Sequence, residues 1–358
     1  MITISVCMIV KNEEDVLARC LESIEGIADE IVVVDTGSSD RTREIAAQFT
    51  ERVFDFAWID DFSAARNFSF SKAQMDYCMW LDADDVIRGE DREGFLELKR
   101  TLSPEVDVVM LPYHTGFDAA GNPSFSYYRE RLLRRTGGFR WEGAIHEAIA
   151  PAGNIVYADT CAVTHRKIHP SDPDRNLNIF EKMLSAGKTL NPREQFYYAR
   201  ELYYHKRFSD AASVYEAFLD GGMGWVENCI GACQILAYCY YELGEEKKAL
   251  AALLRSLEFD LPRAELCCDI GGHFFRKNQL EQAVFWYELA AGRPRKDQSG
   301  GFVQPDCYGY IPYLQLCVCC DRLGDLQAAE RYNELAGEIK PNDPAVLQNR
   351  TYFASKKQ

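Results

Sequence analysis

Ile2 to Val10 is an apolar run interrupted only by Thr3 and Ser5, and a polar, acidic segment, Lys11-Asn12-Glu13-Glu14-Asp15, follows it at once. A short apolar run bounded in this way reads as a strand buried on both faces. Val16, Leu17, Cys20, Leu21 and Ile24 then recur at helical spacing. Ile31 to Val34 predicts a second buried strand ending on Asp35. The turn Thr36-Gly37-Ser38-Ser39-Asp40 supplies caps for a helix from about Arg41. Arg52 to Phe56 predicts a weaker third strand, Phe62 to Ala73 a helix, and Tyr77 to Leu81 a fourth, wholly apolar strand. Such alternation predicts a parallel sheet covered by helices on both faces. After Asp85 the pattern changes. A helix over Asp91 to Leu102 gives way to strands at Val106–Tyr113, Ser124–Leu133 and Ile155–Val163, with a turn over 118–123. Gly137-Gly138 and the segment Trp141 to Glu147 lie between the last two, so this half is expected to be mixed or antiparallel.

From about Asn191 every segment is helical and the pattern repeats. Ala199 and Ala211, Ala237 and Ala249, Gly271 and Ala283, and Cys317 and Ala329 each stand twelve residues apart. Two antiparallel helices that cross closely need small residues at such facing positions. Ala249 to Ala283 is the roughly 34-residue tetratricopeptide step, and the other steps are lengthened by inserts. The expected architecture is an α/β domain with a mixed, mainly parallel sheet over 1–188 and an all-α tetratricopeptide-like domain over 189–358. Four degenerate repeats end in a polar cap from Ala345. Stacked repeats of this kind form a concave surface suited to peptides.

Composition narrows the partners. The 358 residues carry a formal net charge of −15 and 47% hydrophobic residues. That charge argues against non-specific binding of nucleic acid or an anionic membrane. No run approaches the length of a transmembrane helix, and the opening residues lack a basic leader. A cytoplasmic protein with reduced thiols is the expectation for its 13 cysteines. Cys267-Cys268 and Cys317, Cys319 and Cys320 fall on helical positions without the paired spacing of a zinc site, so they read as small buried side chains.

The densest chemistry is Met79-Trp80-Leu81-Asp82-Ala83-Asp84-Asp85, three carboxylates within four residues where a buried strand leaves the sheet. Carboxylates two apart can hold one hard divalent cation, Mg²⁺ or Mn²⁺, together with phosphate oxygens and water. The same residues also suit a helix cap and a solvated turn. Four segments in order then decide the resemblance: MIVKNEE after the first strand, VDTGSSDRT after the second, DDFSAARN before the fourth and MWLDADD at its end. Over about 1–170 the chain resembles family 2 glycosyltransferases of the GT-A fold. With the joined repeats it is similar to the bacterial subset that includes the peptide S-glycosyltransferases of glycosylated bacteriocins.

The resemblance implies a metal-dependent, inverting transfer from a nucleotide-sugar donor, a UDP-sugar, to a peptide or protein acceptor. It implies that Asp35 accepts the imide N–H of uracil, with Ile9, Val10 and Lys11 beside the base and Glu13 on a ribose hydroxyl. Arg66 and Asn67 would serve the diphosphate or base edge. Asp82 and Ala83 would contact ribose or metal-bound water, and Asp84, with Asp82 and His165, would hold the metal. Asp85 reads as a cap or supporting residue. Glu147 occupies the position of the catalytic base, with Glu142 as its rival; His146 and His169 compete with His165. Glu13 and Asp40 also suit simple stabilisation of helix N-termini, and Glu147 suits a structural ion pair. Arg129, Arg131, Arg134, Arg135 and Arg140 form a basic run to which no individual role is assigned. Tyr197, Tyr198, Tyr203, Tyr204 and Tyr215 suit either a peptide groove or, more in keeping with their spacing, the core. Rival readings are a nucleotidyltransferase, set aside because the first loop lacks glycine, a transferase acting on glycolipid or polysaccharide, and a repeat adaptor with an inactive transferase domain. The repeats also leave open a homodimer formed through them.

Overall fold

A computed structural model describes residues 1–117, 121, 123–169 and 172–356. The turn expected over 118–123 falls largely outside them. The chain divides into two compact units, Met1–Thr189 and Leu190–Gln358.

In the first unit the apolar runs become the centre of a mixed sheet. Strands β1 (Ile4–Val10), β2 (Glu30–Asp35), β3 (Val53–Asp55) and β4 (Tyr77–Trp80) are parallel, in the order β3-β2-β1-β4. Helices α1 (Leu17–Ser23), α2 (Thr42–Ala46) and α3 (Phe62–Lys72) connect them, and Asp61 caps α3 by accepting the Ala64 N–H. Residues Val6, Met8, Val33, Met79 and Leu81 are all fully buried, which is why these strands carry no polar alternation. Beyond β4 the order continues β7-β6-β9-β5, where β5 is Asp85–Val86, β6 Val108–Phe117, β7 Pro123–Arg134 and β9 Val163–His165. β7 runs antiparallel to both β4 and β6, and β5 antiparallel to β9. Helix α4 (Gly89–Thr101) lies between β5 and β6 in sequence, and α5 (Arg175–Ser185) ends the unit.

One expected strand is corrected. Ile155–Val163 is not continuous: β8 (Ile155–Tyr157) and β9 both pair in parallel with β6, at Val108–Met110 and at Tyr113–His114. The break lies opposite Leu111-Pro112, where proline has no N–H to offer a ladder. Val163 and His165 therefore belong to a strand of their own.

The second unit is a run of helix pairs: α6 (Pro192–Tyr204) with α7 (Phe208–Asp220), α8 (Val226–Glu242) with α9 (Glu246–Arg255), α10 (Ala264–Arg276) with α11 (Leu280–Ala291), and α12 (Tyr310–Leu323) with α13 (Leu326–Ile339). Helix α14 (Pro344–Lys356) packs last, on α13. The small residues expected at the crossings are where the helices meet. Ala199, Ala211, Ala237, Ala249, Ala283 and Ala329 are fully buried. A Cβ on Gly271 would fall 2.9 Å from the Tyr287 ring, so α10 and α11 approach that closely only with glycine there. Of the tyrosines, Tyr197 and Tyr215 are core while Tyr204 is exposed. All thirteen cysteines are free and buried, and no helix among the described residues is long and apolar enough to cross a membrane.

Candidate functional site

β4 ends at Trp80, and the chain turns through Leu81 to Asp84 into β5, so the carboxylates emerge at the carboxyl end of the parallel strands. Ligand crevices gather at that edge in α/β sheets. Asp82 Oδ1 meets Arg66 Nη2 at 2.7 Å, and Arg66 Nε meets Glu147 Oε1 at 2.6 Å. One guanidinium thus joins the aspartate triplet to the Ile145-His146-Glu147 segment. It lies over the rings of Trp80 and Trp141, 5.2 and 4.8 Å from their centroids. Burial works against the charge of Arg66, yet Asp82 and Glu147 outweigh it and hold its pKa above the usual range. Burial likewise opposes the charge of Asp82, and Arg66 overcomes it, leaving that carboxyl below the usual range.

Asp84, Asp85 and His165 each offer a ligand atom within 4.8 Å of the others. His165 Nδ1 lies 3.4 Å from Asp84 Oδ1 and 3.3 Å from Asp85 Oδ1. The pairing of Asp85 with His165 across β5 and β9 fixes this meeting. Asp82, expected in the same set, faces Arg66 instead. Asp85 is fully buried, and it accepts from the Tyr113 hydroxyl at 2.7 Å and from Arg131 Nη1 at 3.2 Å. Arg131 is buried to the same degree, also donates to the Trp80 carbonyl at 3.0 Å, and lies 3.6 Å from the Trp80 ring centroid and 4.3 Å from that of Tyr113. The hydrogen bond with Asp85 raises the His165 pKa, burial opposing and Asp84 adding to it. Burial pushes Asp84 up; His165 pulls it down, and Asp82 and Asp85 push it further up.

The two loops after β1 and β2 are stitched together beside this edge. Asp35, 2% exposed, accepts the Ser38 N–H at 3.0 Å and its hydroxyl at 2.7 Å. Asn12, held at φ +55°, donates its N–H to Ser38 Oγ and accepts the Ser39 N–H. Glu13 donates its N–H to Thr42 Oγ1, and its side chain is half-buried. Burial, then Asp84, Asp82 and Asp40, push the Glu13 carboxyl up to about 7, so the first loop shares the field of the triplet. The Val10 carbonyl accepts from Thr36, while Ile9 is half-buried, Lys11 exposed and Ala83 buried. Asp40 turns back to cap the loop, accepting the Thr42 and Glu14 N–H groups.

Asn67 uses both ends of its amide on the Trp141 backbone, at 2.9 Å each, and so anchors the loop that carries Glu147. That loop closes through the Glu142–Ala148 bridge, with His146 at φ +52° and Gly143 at φ +98°. Glu142 is exposed, His169 pairs with Asp15, and His146 stacks on Phe180; none of the three joins the cluster. Gly138, at φ +73°, ends a tight turn. In the basic run Arg129 pairs with Glu130, Arg134 with Asp107, and Arg135 with the Met75 carbonyl. Arg131 alone of these reaches Asp85. The sequence did carry a sign of it, because a charged residue directly before the apolar Leu132-Leu133 on a strand needs a buried partner.

Residues 5–158 match the Glycosyl transferase family 2 model. A TPR repeat-containing protein of Synechococcus elongatus is 37% identical over 151 residues, 42% of this chain and 36% of that protein. The SPbeta prophage-derived glycosyltransferase SunS of Bacillus subtilis is 29% identical over 384 residues, covering 99% of this chain and 84% of SunS. A lipopolysaccharide core biosynthesis glycosyltransferase, LpsC, of Rhizobium meliloti is 28% identical over 169 residues, 45% of this chain and 62% of LpsC. This chain therefore spans little more than a third of the cyanobacterial relative and most of SunS.

Proposed function

We propose, from the match of residues 5–158 to the Glycosyl transferase family 2 model, that the chain moves a sugar from a UDP-sugar to a peptide or protein acceptor with the aid of Mg²⁺ or Mn²⁺. The observation that carries this reading is the pair of constellations at one sheet edge, Asp84-Asp85-His165 and Asp82-Arg66-Glu147. Two carboxylates and an imidazole at this separation fit a hard or borderline divalent cation. Asp84 and His165 would hold it, with Asp85 kept in place by Arg131 and Tyr113. When bound, such an ion offsets charge on a departing diphosphate.

The chain's own residues supply the rest. Asp35 and Glu13 lie on the two stitched loops and are the candidates for the uracil and ribose. Lys11, Ile9, Val10, Ala83 and Asp82 border the same edge. Arg66 orients Glu147 and Asp82 together, and Asn67 fixes the loop behind them. In a single displacement the acceptor atom bonds to the anomeric carbon as its bond to the diphosphate oxygen breaks. The acceptor's proton passes to a Glu147 carboxylate oxygen, and the configuration inverts. The acceptor assignment draws on the helical unit, whose stacked pairs are suited to a polypeptide. A glycolipid or polysaccharide acceptor is the second reading, favoured by the likeness to LpsC. The test is a donor screen on the full chain with Mn²⁺ and a set of nucleotide sugars, measuring released nucleoside diphosphate. Release from a UDP-sugar that stops on chelation is the expected result. Release unchanged by chelation, or confined to other nucleotides, would overturn the metal or the uridine assignment respectively.

A further inference from the structure

Within the helical unit, α8, α10 and α12 border a cavity of about 340 Å³. Its lining includes Gln234, Tyr238, Asp269, Gly272, Phe275 and Tyr287. Asp269 Oδ2 accepts from Gln234 Nε2 and the Tyr238 hydroxyl, both at 2.7 Å. Its Oδ1 has no donor among the described residues. Glu265, on the same wall, has both oxygens engaged, by the Gln304 N–H at 2.8 Å and the Tyr308 hydroxyl at 3.0 Å. It contributes charge to the cavity without an open acceptor.

A second observation points independently to a ligand. Tyr287 is 3% exposed and lines the cavity, yet its hydroxyl has no hydrogen-bond partner among the described residues. A Cβ on Gly272 would stand 3.6 Å from that hydroxyl and 3.5 Å from Arg276 Nη1, so the hydroxyl is aimed at the same space. Asp269 is half-buried and both oxygens open onto the cavity, so a bound donor group can hydrogen-bond to them there without displacing a protein partner. The lining carries two carboxylates, Asp269 and Glu265, and one guanidinium, Arg276, which lies over the Tyr241 ring at 4.6 Å. Phe275 and Ile311 add apolar wall. The balance favours a group with a cationic, donor-rich head on an aliphatic stem.

We propose that this cavity receives a lysine or arginine side chain of the acceptor polypeptide, its cationic head on Asp269 Oδ1 and the Tyr287 hydroxyl. The inference rests on the peptide-acceptor reading. Burial, which pushes the Asp269 pKa above the usual carboxylate range, fits a charge awaiting its counter-ion.

The probes are Nα-acetyl-lysine methylamide, its Nε-acetylated form and the norleucine analogue, titrated into the full chain by ligand-observed NMR. Saturable binding of the lysine probe alone is expected, weakened about tenfold or more in Asp269→Asn. Tyr287→Phe removes only an unpaired hydroxyl and keeps the ring on Gly271, so it should fold normally and weaken binding about threefold. It keeps the test decisive if Asp269→Asn misfolds. Equal binding of the three probes, no saturable binding, or unchanged affinity in a folded variant would overturn the proposal. Metal-dependent donor hydrolysis, measured on the same preparations, belongs to the other unit. If it persists while the lysine probe fails, only this inference falls.

Discussion

Replacing Arg131 by methionine isolates the buried pair that stands behind the acidic cluster. Both side chains are fully buried, with Arg131 Nη1 3.2 Å from Asp85 Oδ2. Removing one partner of such a pair costs about 3–5 kcal/mol, because the other charge is left without compensation. Two effects oppose this. Arg131 Nε and Nη2 have no hydrogen-bond partner among the described residues, and deleting such groups returns about 1–3 kcal/mol. Methionine also keeps much of the contact with the Trp80 and Tyr113 rings. The expected net loss is about 2–4 kcal/mol. With two units in the chain a single unfolding free energy is not defined. The measurement is therefore hydrogen exchange of the β4, β6 and β7 amides in the full chain, read as local opening free energies. Arg131→Met with Asp85→Asn keeps an acceptor for Tyr113 and removes the stranded charge, so it should recover about 1–2 kcal/mol of the loss. A single variant that loses under about 1 kcal/mol, or a double variant that loses the sum of both singles, would refute the claim that the pair is coupled.

Asp84→Ala should abolish metal-stimulated UDP binding in calorimetry while leaving the circular dichroism unchanged; unaltered metal-dependent affinity would remove Asp84 from the site. Glu147→Gln keeps the loop shape and should lower transfer by about 10²-fold or more with donor binding retained, whereas wild-type turnover would move the base elsewhere. Glu13 is pushed up to about 7 in the fold from an ordinary value of 4.5, so ionising it disfavours the folded state. That penalty grows as pH rises from about 4.5 to about 7 and is complete above it. In metal-free buffer the local opening free energies of the β1 and β2 amides in Glu13→Gln should therefore match those of the wild type at pH 4 and exceed them by about 1 kcal/mol at pH 8. That figure is reduced for partial exposure, and a difference that did not change with pH would show that the carboxyl is not under strain.

What the sequence revealed follows from which forces are local. The strands β1, β2 and β4 are buried on both faces, so their apolar runs stand out without any partner being known. The helix crossings at Ala199 and Ala211, or Ala237 and Ala249, are visible because a hairpin's two helices are close in sequence as well as in space. β5 was not visible: it has two residues, Asp85-Val86, and exists only because β9, almost 80 positions later, pairs with it. The split between β8 and β9 was hidden for the same reason, since the decisive proline lies in β6. The role of Asp85 followed from this. Read as a cap or supporting residue, Asp85 lies buried, accepting from Arg131, Tyr113 and the Asp82 N–H and standing beside His165.

The distribution of charge around the triplet explains why its members differ. Arg66 compensates Asp82 from one side and Arg131 compensates Asp85 from behind. Neither guanidinium is paired with Asp84 or Glu13. Burial and neighbouring carboxylates push both of those groups upward, and each counts Asp82 among the causes. His165 gives Asp84 partial relief, and its own pKa rises for that reason among others. Protonation is one way to relieve such a surplus of negative charge, but it removes the acceptor lone pairs that make the cluster useful. On the reading proposed above, a divalent cation would relieve it while keeping both carboxylates ionised, at the strand ends where a diphosphate would share it. The fold thus gives Asp82 and Asp85 a guanidinium each and leaves Asp84 and Glu13 without one.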